Sequence, residues 1–313
     1  MYYPYVRGRQ YELLALRELV VSGRLSEHIT PIIEPVKLSS TLSKTMDEFV
    51  KNKRKICIIC NPAVGSFNED MNRDKNDINR IKFFENLRKD EIIKSHIIRK
   101  NSTVTLSNWE EKLKVKKTDW YVINTNREYL ANYSEIFNEG LPKMSFIPDE
   151  SIFKRKVRSN RALIEDRFNK CERNSDYAKN TDEFFSEDHL FYNEDGFEGF
   201  SDFSVIGGDY LESGFAPYAV AIHIVYFDDD KSLRVAHFVS ESNNDIQNPA
   251  GKFYEAVKKL NQWVKENNIN PTSSLQVFLD HYKNETYPGL GSVKKLSLMH
   301  HLELIGQFLD GVE

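Results

Sequence analysis

HITPIIEPVKLSSTLSKTMDEFVKNKRKICIICNP, residues 28–62, decides the fold. It begins with an apolar run, HITPIIEPV at 28–36, and ends with another, KICIICNP at 55–62. Between them Leu42, Met46, Phe49 and Val50 fall at helical spacing behind Ser39 or Ser40, either of which suits an N-cap. Strand, helix and strand in that order form one β-α-β unit. The same rhythm continues outward through SHIIRK (95–100), DWYVINT (119–125), MSFIPD (144–149), RALIEDRF (161–168), FSDFSVIGG (200–208) and AVAIHIVYF (219–227). That makes eight runs, with helical patterns such as SNWEEKLKVKK and REYLANYSEIFNEG between several of them. Alternation of this kind predicts a parallel sheet. Eight units closing on themselves give an α/β, (β/α)8-like (TIM-type) barrel, whose size of about 250 residues fits a 313-residue chain. An open doubly wound sheet shares the local pattern, yet no G-x-G-x-x-G or P-loop glycine signature follows a strand.

The expected organisation is a single barrel-like domain over 1–313, opened by an N-terminal helical segment with Leu13, Leu16 and Val20 on one face. Residues 251–313 form a C-terminal helical closure. Two stretches interrupt the rhythm. Residues 66–80 are polar and loop-like, and residues 171–200 form an insertion with nine acidic, two basic and seven aromatic side chains. Such an insertion either packs its aromatics into a satellite core or presents them to a protein partner. Around DDDK, AVAIHIVYF and LRVAHFVSES read as a β-hairpin. A two- or four-residue loop puts His223 and His237 on opposite faces, whereas a three-residue loop sets them side by side, the only arrangement that serves a metal.

Forty-three basic against forty-seven acidic side chains leave a net charge of −4, without the global positive field that makes nucleic acid a default partner. FKRKVRSNR (153–161) and KLKVKK (112–117) are local basic stretches able to touch phosphate, which leaves a local nucleic-acid contact open, but no aromatic beyond Phe153 interleaves with the first to make a stacking platform. No apolar run approaches the 18 residues of a membrane span and no secretory leader stands at the start, so a cytoplasmic protein is expected. Cys57 and Cys60 lie three apart in a strand and therefore on opposite faces, which argues against a C-x-x-C redox or zinc site. Cys171 stands alone.

The opening MYYPYVRGRQYELLAL contains Tyr3, Pro4, Arg7, Gly8, Arg9, Gln10, Glu12, Ala15 and Leu16, and the first run adds Pro31, Ile32, Ile33, Glu34 and Pro35. This pattern resembles the start of the phage beta-protein family and its bacterial relatives over roughly the first 36 residues. The resemblance implies a barrel-like fold and a setting in phage–host conflict, as defence or counter-defence, and carries over no catalytic residues.

In a barrel the strand C-termini form the functional rim. The polar residues there are Glu34, Asn61, Asn124, Asp149, Glu165, Asp166 and Asp209. Glu34, Glu165, Asp166 and Asp209 are the candidate catalytic carboxylates, able to share a proton or to bind a divalent cation through oxygen. Asn61, Asn124 and Asp149 are candidate binding groups. Glu34 sits among apolar neighbours and needs a partner; Arg7 or Arg9 can supply it, so the Arg-Gly-Arg stretch is either a structural plug or an anion clamp. Two functions are expected from these features. One is a protein acting through a partner, such as the product of a nuclease-like neighbouring gene, with 171–200 as docking surface. The other is a hydrolase or lyase acting on a phosphorylated or nucleotide-like substrate at the rim.

Overall fold

In the computed structural model, which describes residues 1–211 and 217–312, the 28–62 stretch folds as its pattern requires. Strand β2 (Ile32–Ile33) leads to helix Ser40–Lys51 and on to β3 (Ile56–Ile59). Ser39 is the N-cap: its hydroxyl oxygen accepts from the Leu42 N–H at 3.2 Å. Leu42, Met46 and Phe49 are buried, and Val50 at the edge of the stripe is half-buried.

The pattern repeats in β4 (Ile92–Ile97), β5 (Tyr121–Ile123), β6 (Met144–Ile147) and β7 (Arg161–Glu165), each parallel to the strand before it. The closing strand, β9 (Phe200–Asp202), pairs with β7. β1 (Tyr5–Val6) precedes all of these and pairs with β2. Tyr2 bridges to both Ile29 and Phe200. Tyr3 N–H donates to Phe200 O at 2.8 Å and Phe200 N–H to Met1 O at 3.1 Å, so the two ends of the sheet meet. The result is a nearly closed eight-stranded parallel barrel with surrounding helices.

The register corrects the sequence reading in one respect. The run at 28–36 is the second barrel strand, because the N-terminal residues themselves form the first; helix Gln10–Val21 follows it. Pro4 hides this strand. Its carbonyl accepts from Ile32 N–H at 2.8 Å on the β2 side, and the N–H that a proline lacks would point the same way, so one ladder bond to β2 is missing. The run at 219–227 is not a barrel strand at all. It is β10 (Ala221–Phe227), paired antiparallel to β11 (Leu233–Val239), which pairs in turn with β8 (Asp182–Ser186) in a separate sheet.

Tyr3 meets Tyr121 and Phe146 edge-on at 6.2 and 5.1 Å, a contact between strands 1, 5 and 6 that only the barrel interior permits. Since alternate side chains along a strand share a face, Tyr3, Tyr5 and Arg7 point inward, and the register carries the same parity to Ile32 and Glu34 and to Cys57, Ile59 and Asn61. Cys57 is therefore inside and Cys60 outside. Burial pushes the Cys60 thiol up to about 12 and Cys57 higher still, as befits packing residues.

Where the sequence reads one domain over 1–313, contacts gather into two compact units. The barrel unit comprises Met1–Gly23, Glu27–Asp166 and Asp188–Asp202, and the second unit Arg24–Ser26, Arg167–Glu187 and Phe203–Glu313. The 171–200 stretch is thus divided. Within the second unit, helices Pro249–Glu266, Ser273–Lys283 and Leu290–Leu309 cover one face of the hairpin, burying Ile222, Ile224, Ala236 and Phe238 against Phe253, Leu260 and Phe278. Helix Leu290–Leu309 packs on β10, while the barrel closes through β9. No helix among the described residues is long and apolar enough to cross a membrane.

One loop glycine has no substitute. Gly65 has φ +71°, and a Cβ there would lie 2.0 Å from the Val36 carbonyl oxygen. Backbone cannot yield as a flexible side chain can, so Gly65→Ala is expected to cost at least about 2 kcal/mol, read as a lower urea midpoint at unchanged slope.

Candidate functional site: the C-terminal mouth of the barrel

Glu34 follows β2 with its side chain fully buried. Such a carboxylate is stable only if its charge and lone pairs are engaged. One oxygen, Oε2, accepts from the Tyr5 hydroxyl at 2.7 Å and is ion-paired with the Arg7 guanidinium. The other accepts from the Ala63 N–H at 2.5 Å. Arg7 therefore fills the role expected of one of the two arginines. Gly8 between them turns the chain at φ +62°, where a Cβ would touch the Glu34 carbonyl and Ile33 at 3.0 Å. Arg9 then starts the helix as its N-cap, its N–H donating to Glu12 at 3.3 Å. The Arg-Gly-Arg stretch thus consists of an ion-pair partner, a left-handed turn and a helix start.

Arg99 arrives from the loop after β4. Its Nη1 lies 3.5 Å from Pro62 O, and its Nη2 is buried with no hydrogen-bond partner among the described residues. Burial, then the Glu34 charge, push the Tyr5 hydroxyl well above its usual value, against the pull of Arg7 and Arg99. Among the described residues two guanidinium groups thus act on the locality of one carboxylate. Next to them Asn61 is fixed by Ile97: its Oδ1 accepts from Ile97 N–H and its amide donates to Ile97 O, both at 2.8 Å. The same amide lies 3.2 Å from His96 Nε2, with the Ser102 hydroxyl at 3.0 Å. Donors on Nε2 place the ring proton on Nδ1, and burial holds this imidazole neutral, down to about 3. Asn124, at the end of the neighbouring β5, is fully buried with neither amide atom hydrogen-bonded.

The other expected site residues make contacts of their own. Glu165 accepts from the Asp149 N–H at 3.0 Å, and the Asp149 carboxylate pairs with Lys154 on the following helix. Those contacts tie down the loop after β6. Asp166 is exposed just past β7, and Asp209 belongs to the second unit, seven residues beyond β9. Among the described residues no three His, Cys, Asp or Glu side chains lie close enough together to hold a metal ion. The basic stretches have local roles as well: Arg161 caps the Gly196 and Val157 carbonyls, and the Lys112 amine sits 4.0 Å over the Phe84 ring.

Tyr5, His96 and Arg99 were not among the expected site residues. A strand drawn over SHIIRK to residue 100 hides Arg99, whereas β4 ends at Ile97 and leaves Arg99 on a rim loop. A groove of about 580 Å³ lined by Asp47, Lys51, Glu85 and Arg88 lies at the C-terminal ends of two helices. In a β/α barrel that is the face opposite the strand C-termini, associated with stability. No family model matches the chain, and neither curated proteins nor solved structures yield a match.

Proposed function

We propose that the barrel mouth binds a phosphorylated or nucleotide-like ligand, in a protein that acts in phage–host conflict. The observation that carries the ligand reading is Arg99 Nη2: a buried guanidinium donor without a partner is costly, and a phosphoryl oxygen satisfies it with a charge-assisted hydrogen bond. The excess of guanidinium over carboxylate beside Tyr5 among the described residues, and the amides of Asn61 and Asn124, favour an anion over a cation. Glu34 acts in this reading as a positioning residue. Its three hydrogen bonds leave it holding Arg7 and Tyr5 rather than moving a proton. The phage–host setting rests on the resemblance of residues 3–35 to the start of phage beta-proteins.

Docking through 171–200 is supported less well. Tyr177, Phe185, Phe197 and Phe200 are buried, leaving Phe184 and Phe191 as the exposed rings of that stretch.

Calorimetric titration with inorganic phosphate, a nucleoside 5′-monophosphate and the matching nucleoside tests the ligand class. Saturable binding of both phosphate-bearing compounds at about 1 mM or tighter is expected, with none of the nucleoside. Equal binding of the nucleoside, or no saturable binding of either phosphate compound, overturns the reading.

A further inference from the structure

The second unit holds a buried hydrogen-bond chain that the barrel mouth does not use. The β10–β11 register sets His223 directly opposite His237; Asp228 N–H donates to Ser232 O at 2.9 Å and leaves residues 229–231 as the three-residue loop that sets the two side by side. Their Nδ1 atoms are 2.8 Å apart and their ring centroids 4.9 Å. The centroid separation exceeds the nitrogen separation by nearly two ring radii, so the nitrogens point at each other. A chelated metal needs two lone pairs converging on a third point; two nitrogens aimed along one axis share a proton instead.

Glu183 on β8 assigns that proton. Its Oε1 lies 3.4 Å from His237 Nε2, while the Asn169 and Asn180 amides donate to its Oε2 at 3.3 and 3.0 Å. The carboxylate takes the Nε2–H of His237. His237 Nδ1 is then the acceptor, His223 Nδ1 the donor, and His223 Nε2 keeps its lone pair. Phe168 and Tyr177 enclose the pair, Tyr177 lying 4.5 Å from the His223 ring and 4.7 Å from His237. The charged and titratable groups acting on the pair are Asp182 and Glu183 from β8, Lys294 from helix Leu290–Leu309, and Tyr177 from the segment before β8, while Arg234 lies on the other face of β11, three residues from His237.

We propose that the Glu183–His237–His223 chain is an acid-sensitive latch that fastens residues 167–186 to the hairpin. That segment is held by the β8–β11 ladder, by the His237 N–H donating to Thr181 O at 2.8 Å, and by Phe168 and Tyr177 against the two imidazoles. A first extra proton enters at His223 Nε2 and leaves the shared bond intact. A second has only His237 Nδ1 to occupy; there it faces the His223 N–H and breaks the bond. Either charge sits among aromatic rings, so releasing the segment to water favours proton uptake. The Asp182–Arg234 ion pair on the same strand does not depend on imidazole protonation.

Burial holds His223 down to about 3 and lowers His237, the latter against the upward pull of Glu183. For bases lowered in the folded state, the fastening is complete above the ordinary value of 6.5 and is lost progressively as pH falls below it.

Amide hydrogen exchange at pH 7.5 and pH 5.5, corrected for intrinsic rates, tests the latch. Protection of residues 181–186 is expected to fall at the lower pH by about tenfold more than that of helix Pro249–Glu266, as one proton taken up on opening requires. In His223→Phe, which keeps a ring beside Tyr177 and removes the shared proton, that extra pH dependence should vanish. Where this variant does not fold, the wild-type profile decides. An equal change over 181–186 and 249–266, or no change at either, overturns the latch.

Discussion

Glu34→Ala is expected to lower the unfolding free energy by about 3–5 kcal/mol, and Arg7→Ala by a similar amount, because each removes one half of a buried, hydrogen-bonded ion pair. Removing Glu34 also strips the Tyr5 hydroxyl and the Ala63 N–H of their acceptor. With Arg7 only 16% exposed and Glu34 fully buried, water cannot replace the lost partner at little cost. Once one member is gone, the other has less to lose. The double variant should therefore cost less than the sum of the singles, by at least about 1 kcal/mol in a double-mutant cycle. Urea unfolding of the four proteins measures this, and additive losses would contradict a shared buried pair.

Acid should destabilise the protein well before its carboxylates titrate. His96 in the barrel unit and His223 and His300 in the second are held neutral by burial, His96 and His223 down to about 3 and His300 to about 4. The His300 nitrogens are both engaged, with Thr272 Oγ1 and Val225 O each at 2.8 Å. Below the ordinary histidine value of 6.5 the unfolded chain binds protons that the folded one does not. Stability is thus full above that pH and falls as pH drops toward 4, by up to about 1.4 kcal/mol per pH unit for each histidine. Glu12 works the other way: burial raises its carboxyl, so it favours the folded state as pH falls, one group against these three and the likewise lowered His237 and His281. Urea midpoints at pH 7.5, 6.5 and 5.5 should decline most between the last two. A midpoint independent of pH over that range would contradict the assignment of these histidines as neutral.

Seven of the eight barrel strands were legible as apolar runs, because a strand buried on both faces carries a continuous signal. The first was not. Tyr2–Val6 is brief, contains Pro4, and pairs with β9 through a single bridge, so nothing local marks it as a strand until Phe200 is beside it. The opposite error has the same origin. AVAIHIVYF is as apolar as a barrel strand, and only its antiparallel partner shows that it lies in another sheet. The Arg7–Glu34 pair was legible because a lone carboxylate in ITPIIEPV demands compensation. Arg99 was hidden by a strand boundary placed three residues late, and lysines and arginines after a strand are too common to stand out. That Glu165 holds the loop after β6 and that Asp209 belongs to the second unit depended on register and on the division into two units, which no local pattern encodes.

If Arg7 serves the fold and Arg99 the ligand, Arg99→Gln separates the two roles in one protein. Its unfolding midpoint should equal or exceed that of the wild type, since a buried donor without a partner is removed. Its affinity for inorganic phosphate should fall at least about tenfold, a loss of about 1.4 kcal/mol. An Arg99→Gln protein that is destabilised as much as Arg7→Ala yet binds phosphate as the wild type does would contradict the account.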